Sequence, residues 1–419
     1  MSFRFKNSFI KCRSLFLALT LYPLSGLCVR SPKRWVFGSL NNGFSGNPKY
    51  LFLWVTQNEP DIQSVWITSS YATFQQLRSN GLPVRLRWSF SGIFELLRAG
   101  VFVYGNGVSD VSFSASKGAF LLNLWHGVGV KALAHHDRGP EVEKEALRQR
   151  RTASWWKRML YPGAGIYADM FVTTSDFTQQ HFINQFSRSV QDSPQLGYPR
   201  LDCAFDESLN RLARQHDRRL NFQFKTEDIN EVYLYMPTYR DSGREFLSNA
   251  IPDPDRLSNI LASRKAILYV KLHPRTHGQV PTTSNILTWP EQIDFQPYLS
   301  DISSLITDYS SVLYDYIMVA KEPPLLYTFD WEKYQRERTL SEDFESNTAG
   351  LRINSFDELC KVIQDGNAAT SLPTQIALIR EKFWAGSYRP ASPEIIRHVA
   401  DRIGLNVSSA KSFNNKRAN

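Results

Sequence analysis

From about Trp35 the chain alternates short apolar runs with longer amphipathic stretches, and that rhythm leaves few architectures open. Arg34-Trp35-Val36-Phe37 reads as a strand that runs into the glycine-bearing loop Gly38 to Gly46. Asn47-Pro48 then reads as an N-cap followed by proline at the first helical position, opening a helix over Lys49 to Gln57. Further strands are expected at Val65 to Thr68, Leu82 to Leu86, Val101 to Tyr104 and Phe120 to Leu124. Between them one helix should end at Asn80-Gly81 and another should run from Ser91 to Ala99, with Gly100 as its C-cap. Ala168 to Thr173 resumes as a strand, and Ser175-Asp176 leads into the next helix. Strand–helix units of this length imply a parallel sheet with helices on both faces.

A second series follows the charged stretch Arg211 to Asp228, with strands expected at Val232 to Met236, Ala266 to Leu272, Ser304 to Thr307 and Leu325 to Tyr327. Phe356 to Gln364 and Ala377 to Trp384 read as late helices. A chain of 419 residues is too long for one ordinary core. The expectation is therefore two α/β domains with a cleft between them. An N-terminal extension would occupy residues 1–33, the domains 34–210 and 211–400, and a tail 401–419.

Composition narrows the function classes. Hydrophobic residues at 42% exclude a disordered chain. The net charge of +9 favours a polyanionic partner such as a nucleotide, an anionic lipid or a phosphate-rich polymer, although many basic proteins bind nothing charged. No nucleic-acid module signature is present, and the aromatics are not grouped into stacking platforms. Cys12, Cys28, Cys203 and Cys360 show no metal-site or disulfide spacing. A bilayer-spanning helix needs about 20 apolar residues, and no window supplies them. Arg4, Lys6, Lys11 and Arg13 ahead of the apolar Leu15 to Tyr22 instead suggest a surface anchor on an anionic membrane, or a plain N-terminal extension. The basic segment Lys131 to Arg158, with Arg148, Arg150 and Arg151 near Trp155-Trp156, fits a polyanionic acceptor or a membrane surface, and equally a solvated helical excursion.

In open parallel sheets ligands bind beyond the carboxyl ends of the strands, so the polar residues just after each strand are the candidates. Phe120 to Leu124 delivers Trp125-His126-Gly127. A histidine between a tryptophan and a glycine can take a proton near neutral pH, or it can be a ring tied under a tight turn. Val232 to Met236 delivers Pro237-Thr238-Tyr239-Arg240, and Ala266 to Leu272 delivers His273-Pro274-Arg275, a pair that could offset phosphate charge. Leu305-Ile306-Thr307-Asp308 ends in a carboxylate and is followed by Tyr309-Ser310-Ser311 ahead of an apolar helix. Two serines at a helix start can seat an anion on free N–H groups and the positive helix end, or form an N-cap with no ligand. Arg240 and Arg200 are further candidates for phosphate contact. No metal-binding cluster stands at a strand end, and Mg2+ could still accompany a pyrophosphate.

Taken in order, these loops resemble the CDP-glycerol:polyol-phosphate glycerophosphotransferase family, whose members build teichoic-acid and capsule polymers. The matching text is Leu124-Trp125-His126-Gly127 with Lys131, Thr174-Ser175-Asp176, Gly197-Tyr198-Pro199-Arg200 with Asp202, Met236 to Arg240, Leu272-His273-Pro274, and Ile306 to Ser311 with Tyr314-Asp315. The resemblance implies a GT-B-like fold of two Rossmann-like domains facing across a cleft, the first for the acceptor and the second for the CDP donor. It implies a cytoplasmic enzyme, peripheral on the inner face of the membrane. It further implies that a polyol hydroxyl of a glycan or lipid-linked acceptor attacks the β-phosphorus of a CDP-polyol and releases CMP. On that scheme His126 is the general base. His273, Arg275, Ser310 and Ser311, with Arg240, Thr307 and Asp308 around them, hold the pyrophosphate. Trp125, Gly127, Lys131 and Arg200 support the acceptor side. A GT-B glycosyltransferase using a nucleotide-sugar and a non-catalytic polyanion binder are the competing readings.

Overall fold

The computed structural model describes residues 15–128, 166–186, 192–215, 222, 224, 227–240, 244–273, 276, 279–320, 322–337, 344, 347–348, 350–366, 373–386 and 388–407. Arg4, Lys6, Lys11, Arg13, Lys131, the rest of the basic segment to Arg158, Arg275 and most of the tail lie outside them.

The first unit is built on six parallel strands: β1 (Ser31–Phe37), β2 (Gln63–Thr68), β3 (Val84–Leu86), β4 (Ala99–Tyr104), β5 (Phe120–Asn123) and β6 (Met170–Phe171). Their spatial order is β3-β2-β1-β4-β5-β6. β4 and the last three residues of β1 are apolar and almost wholly buried, as strands covered by helices on either side must be. Trp35, Phe37, Trp66 and Tyr104 are buried within this sheet.

Two expectations for this unit need correction. Gly100 caps no helix: β4 begins at Ala99, directly after the Phe90–Arg98 helix. A Cβ on Gly100 would lie 2.5 Å from the Ser31 carbonyl oxygen, so the glycine is there for close backbone approach. Nor do residues 21–33 form a separate extension. β1 already starts at Ser31, and the Arg30 guanidinium donates to the carbonyls of Ser25, Leu96, Ala99, Ala115 and Lys117.

The second unit repeats the plan with β7 (Glu231–Met236), β8 (Ala266–Val270), β9 (Ile286–Thr288), β10 (Ser304–Thr307), β11 (Leu325–Tyr327) and β12 (Leu351–Ile353), all parallel. Their order is β12-β11-β10-β7-β8-β9. Counted from the first strand of each unit, the two orders are the same doubly wound 3-2-1-4-5-6 arrangement. The order reverses between β1 and β4 in one sheet and between β7 and β10 in the other. The Val312–Val319 helix, expected to be buried, packs with seven buried residues after β10.

Residues 389–407 return to the first unit, although the sequence suggested that the second domain continues to residue 400. The helix they form buries Ile395, Ile396, Val399 and Ala400, and one carboxylate fixes its start. Asp202, fully buried, accepts from the Ala391 N–H at 3.0 Å and the Ser392 N–H at 2.7 Å, capping the Ala391–Ile403 helix from another part of the chain.

Candidate active-site loops

In the first unit the loop after β5 turns at Trp125, whose φ of 52° is rare for a residue with a side chain. Three contacts hold it there. The Trp125 N–H donates to Asn123 Oδ1 at 2.8 Å, the Trp125 carbonyl accepts from Asn47 Nδ2 at 2.9 Å, and the indole packs on Phe171 and Phe182. Asn47 is fully buried. It also reaches the Leu124 carbonyl and accepts the Arg200 N–H, so one side chain ties three segments together. It lies inside the first turn of the Gly46–Asn58 helix, behind the N-cap Ser45, where the sequence suggested an N-cap role.

This turn presents His126 with an exposed side, its ring centre 4.1 Å from that of Trp125 and tilted 35° to it. Nδ1 lies 3.4 Å from the Gly105 carbonyl oxygen. A carbonyl only accepts, so this contact favours the neutral tautomer with the proton on Nδ1 and the lone pair on Nε2. The imidazole pKa is lowered, first by desolvation and also by the Arg200 charge, against the opposing effect of the Gly105 bond. A neutral ring with Nε2 open can accept a proton.

Arg200 itself is buried. Its Nη1 donates to the His126 carbonyl at 2.5 Å, and its guanidinium lies over the Tyr198 ring. Gly127, next to His126 in sequence, is buried as well. Trp125 and Arg200 thus support the backbone that carries His126.

In the second unit the loops after β7, β10 and β11 are tied by charge. Arg240 Nη2 donates to Asp308 at 2.9 Å and to Asp330 at 3.0 Å, its Nε donates to Asp330 at 2.7 Å, and its Nη1 donates to the Thr238 carbonyl at 2.9 Å. The guanidinium lies 4.2 Å from the Tyr334 ring centre and 5.0 Å from that of Tyr309. Burial alone would lower its pKa, but Asp308 and Asp330 more than reverse this and raise it. Arg240 was expected to contact phosphate. The structure corrects this: its side chain is 2% exposed and committed to two carboxylates, so its work is to hold the loops.

Asp308 is likewise occupied, accepting from the Thr238 and Tyr309 N–H groups, and the Thr307 hydroxyl donates to the Met236 carbonyl. Both are buried and face the interior rather than a ligand. What this frame leaves outward is Ser310 and Ser311. Ser310 is half-buried, its Oγ accepting from the Val312 N–H at 3.4 Å, and exposed Ser311 is an N-cap whose hydroxyl makes no cap bond. His273 is exposed, its ring 5.7 Å from that of Tyr239. Of the motif pair Tyr314-Asp315, both are buried, Tyr314 donating to the Asn347 carbonyl and Asp315 accepting from Gln296.

Sequence reading missed Asn47's bridging, Asp330, Tyr334 and Asp110. For Asp110 a signal existed: Gly105-Asn106-Gly107 follows a strand as directly as Trp125-His126-Gly127 does. Among the described residues no group of three or more His, Cys, Asp or Glu is placed to hold a metal ion, and no helix is long and apolar enough to cross a membrane.

Residues 22–400 match the family described as CDP-Glycerol:Poly(glycerophosphate) glycerophosphotransferase, in line with the resemblance drawn from the loops. The chain is 29% identical over 174 residues to the teichoic acid ribitol-phosphate polymerase TarK of Staphylococcus aureus, covering 40% of this chain and 33% of that protein. It is 26% identical over 243 residues to the teichoic acid glycerol-phosphate primase of Bacillus spizizenii, covering 57% of this chain and 60% of that protein. The match thus spans from a third to three fifths of the length of these curated relatives. Among solved structures, the wall teichoic acid polymerase TagF is similar with a TM-score of 0.70 at 20% identity, over 96% of this chain and 98% of that one. That likeness is one of fold, and it bears out the expected α/β, GT-B-like class with two Rossmann-like units.

Proposed function

Because the chain belongs to the CDP-glycerol:poly(glycerophosphate) glycerophosphotransferase family, we propose that it moves a polyol phosphate, glycerol phosphate first among the candidates, from a CDP-activated donor to a teichoic-acid-type polymer or lipid-linked acceptor. The acceptor hydroxyl gives its proton to His126 Nε2 as its oxygen bonds to the β-phosphorus. The bond from that phosphorus to the bridging oxygen breaks, and CMP leaves with the electron pair. Ser310 and Ser311 at the start of the Val312–Val319 helix, with His273 and Arg275, hold the pyrophosphate and offset its charge. Arg240, Asp308 and Thr307 keep those serines in place; Trp125, Gly127 and Arg200 do the same for His126, with Lys131 on the acceptor side.

The observation that supports this reading most is the His126 ring, whose Nδ1 faces a carbonyl at 3.4 Å and whose lowered pKa keeps it in the neutral, proton-accepting form at pH 7. A membrane-surface contact on the cytoplasmic side is part of the proposal. Phe16, Leu19, Leu24, Leu27 and Val29 support it, each with more than half of its surface exposed. The test is to offer the purified protein CDP-glycerol, CDP-ribitol and a set of nucleotide-sugars with a lipid-linked acceptor and to identify the freed nucleotide. CMP from a CDP-polyol is the expected result. A nucleoside diphosphate from a nucleotide-sugar would transfer the assignment to glycosyl transfer.

A further inference from the structure

A buried carboxylate near the loop after β5 has no part in the scheme above. Asp110 is 8% exposed, and its Oδ2 accepts the Gly105 N–H at 3.2 Å and the Asn106 N–H at 2.9 Å. Burial raises its pKa, and the N–H groups of Asn106, Gly105 and Gly107 work against that rise by favouring the charged form. Successive N–H groups converging on one oxygen form an anion-binding concavity, here filled from within the chain.

The peptide group between Gly105 and Asn106 is what gives this arrangement a consequence. Its N–H is the one bound by Asp110 at 2.9 Å, and its C=O is the one facing His126 Nδ1 at 3.4 Å. In a trans peptide these two groups point in opposite directions, so the carboxylate and the imidazole sit on opposite sides of one rigid plane. An anion accepting from the N–H makes the carbonyl oxygen a better acceptor, and the two hydrogen bonds reinforce each other. The next peptide group along the chain is held as well, since Asn123 Nδ2 donates to the Asn106 carbonyl at 3.2 Å while its Oδ1 accepts the Trp125 N–H.

We propose that Asp110 is the positioning residue for His126, acting through the single peptide group that joins Gly105 to Asn106. It keeps the Gly105 carbonyl aimed at Nδ1, which selects the tautomer with Nε2 open. The groups that act on the His126 ring are then this carbonyl, which raises its proton affinity, and Arg200, which lowers it. The proposal rests on His126 being the base of the transfer and assigns the group that makes it one.

The experiment is nitrogen NMR of the full-length protein labelled at histidine, with the His126 signals identified by their loss in His126→Gln. In the wild-type protein the neutral ring is expected to carry its proton on Nδ1; a ring protonated on Nε2 overturns the proposal. That reading needs no other variant, so it decides the question even where Asp110→Ala fails to fold. In Asp110→Ala the carbonyl is released, the preference for Nδ1 weakens, and the His126 midpoint falls by about half a unit because a bond that favoured the protonated ring is gone. Asp110→Asn keeps an oxygen for the Asn106 N–H and should restore part of the preference. A His126 ring in Asp110→Ala with the wild-type tautomer and midpoint also overturns the proposal. Turnover of Asp110→Ala should fall by about tenfold. A changed ring with unchanged turnover would support the positioning role and sink His126 as the base.

Discussion

At the first sheet's reversal of strand order, the loops after β4 and β5 are held by the amides of Asn47 and Asn123, by the Arg200 guanidinium on a backbone carbonyl and by one buried carboxylate, which together fix a single imidazole. At the second sheet's reversal, the loops after β7, β10 and β11 are fixed by a guanidinium between two carboxylates and against two tyrosine rings. The same scaffold therefore uses charge in opposite ways. In the first unit an imidazole is presented outward with a lowered pKa; in the second the strongest charges neutralise one another inside, and the loop after β10 is left with hydroxyls at its surface. Here, then, the charged residues Arg240 and Asp308 that follow parallel strands fasten loops to one another.

Each half of the contrast can be broken separately. The largest effect is expected from His126→Ala, which should lower turnover by about 10²–10⁴-fold with an unchanged unfolding midpoint; near-normal turnover would remove the imidazole from the chemistry. Arg240→Ala strands two carboxylates in the interior and should cost about 3–5 kcal/mol in urea unfolding. If that variant stays stable but loses donor affinity, the guanidinium is a ligand for phosphate and the contrast fails. Asp202→Ala should cost about 1–3 kcal/mol by uncapping the Ala391–Ile403 helix, measured by thermal unfolding, while turnover at saturating substrate holds. The smallest effect concerns pH. The lowered His126 pKa keeps the ring neutral at pH 7, so kcat/KM should fall only on the acid side, below the ordinary histidine value of about 6.5. An acid limb centred above that value would contradict the direction of the shift.

Much of this was legible in the chain. Buried parallel strands are continuous apolar runs, so β4, β5, β7, β8, β10 and β11 announce themselves, and with them the loops that carry His126, His273, Ser310 and Ser311. The edge strands β9 and β12 were not expected: Ile286-Leu287-Thr288 and Leu351-Arg352-Ile353 are three-residue segments each interrupted or ended by a polar residue. What sequence could not separate is an arginine facing a ligand from one facing a carboxylate. Arg240 is decided by Asp330, ninety residues away, and Asn47 by carbonyls 77 and 78 residues away. The same holds for Asp202 and the returning helix, whose partner lies 189 residues on. Local propensity sees the cap residue or the turn but not the distant group that claims it.

The division of labour between an outward imidazole and a donor-holding serine pair is tested most directly by calorimetric titration of CDP-glycerol into the wild type, His126→Ala, and Ser310→Ala combined with Ser311→Ala. Donor affinity should survive in the histidine variant and fall by about fivefold or more in the serine variant. Equal loss in both, or full affinity without the serines, would contradict it.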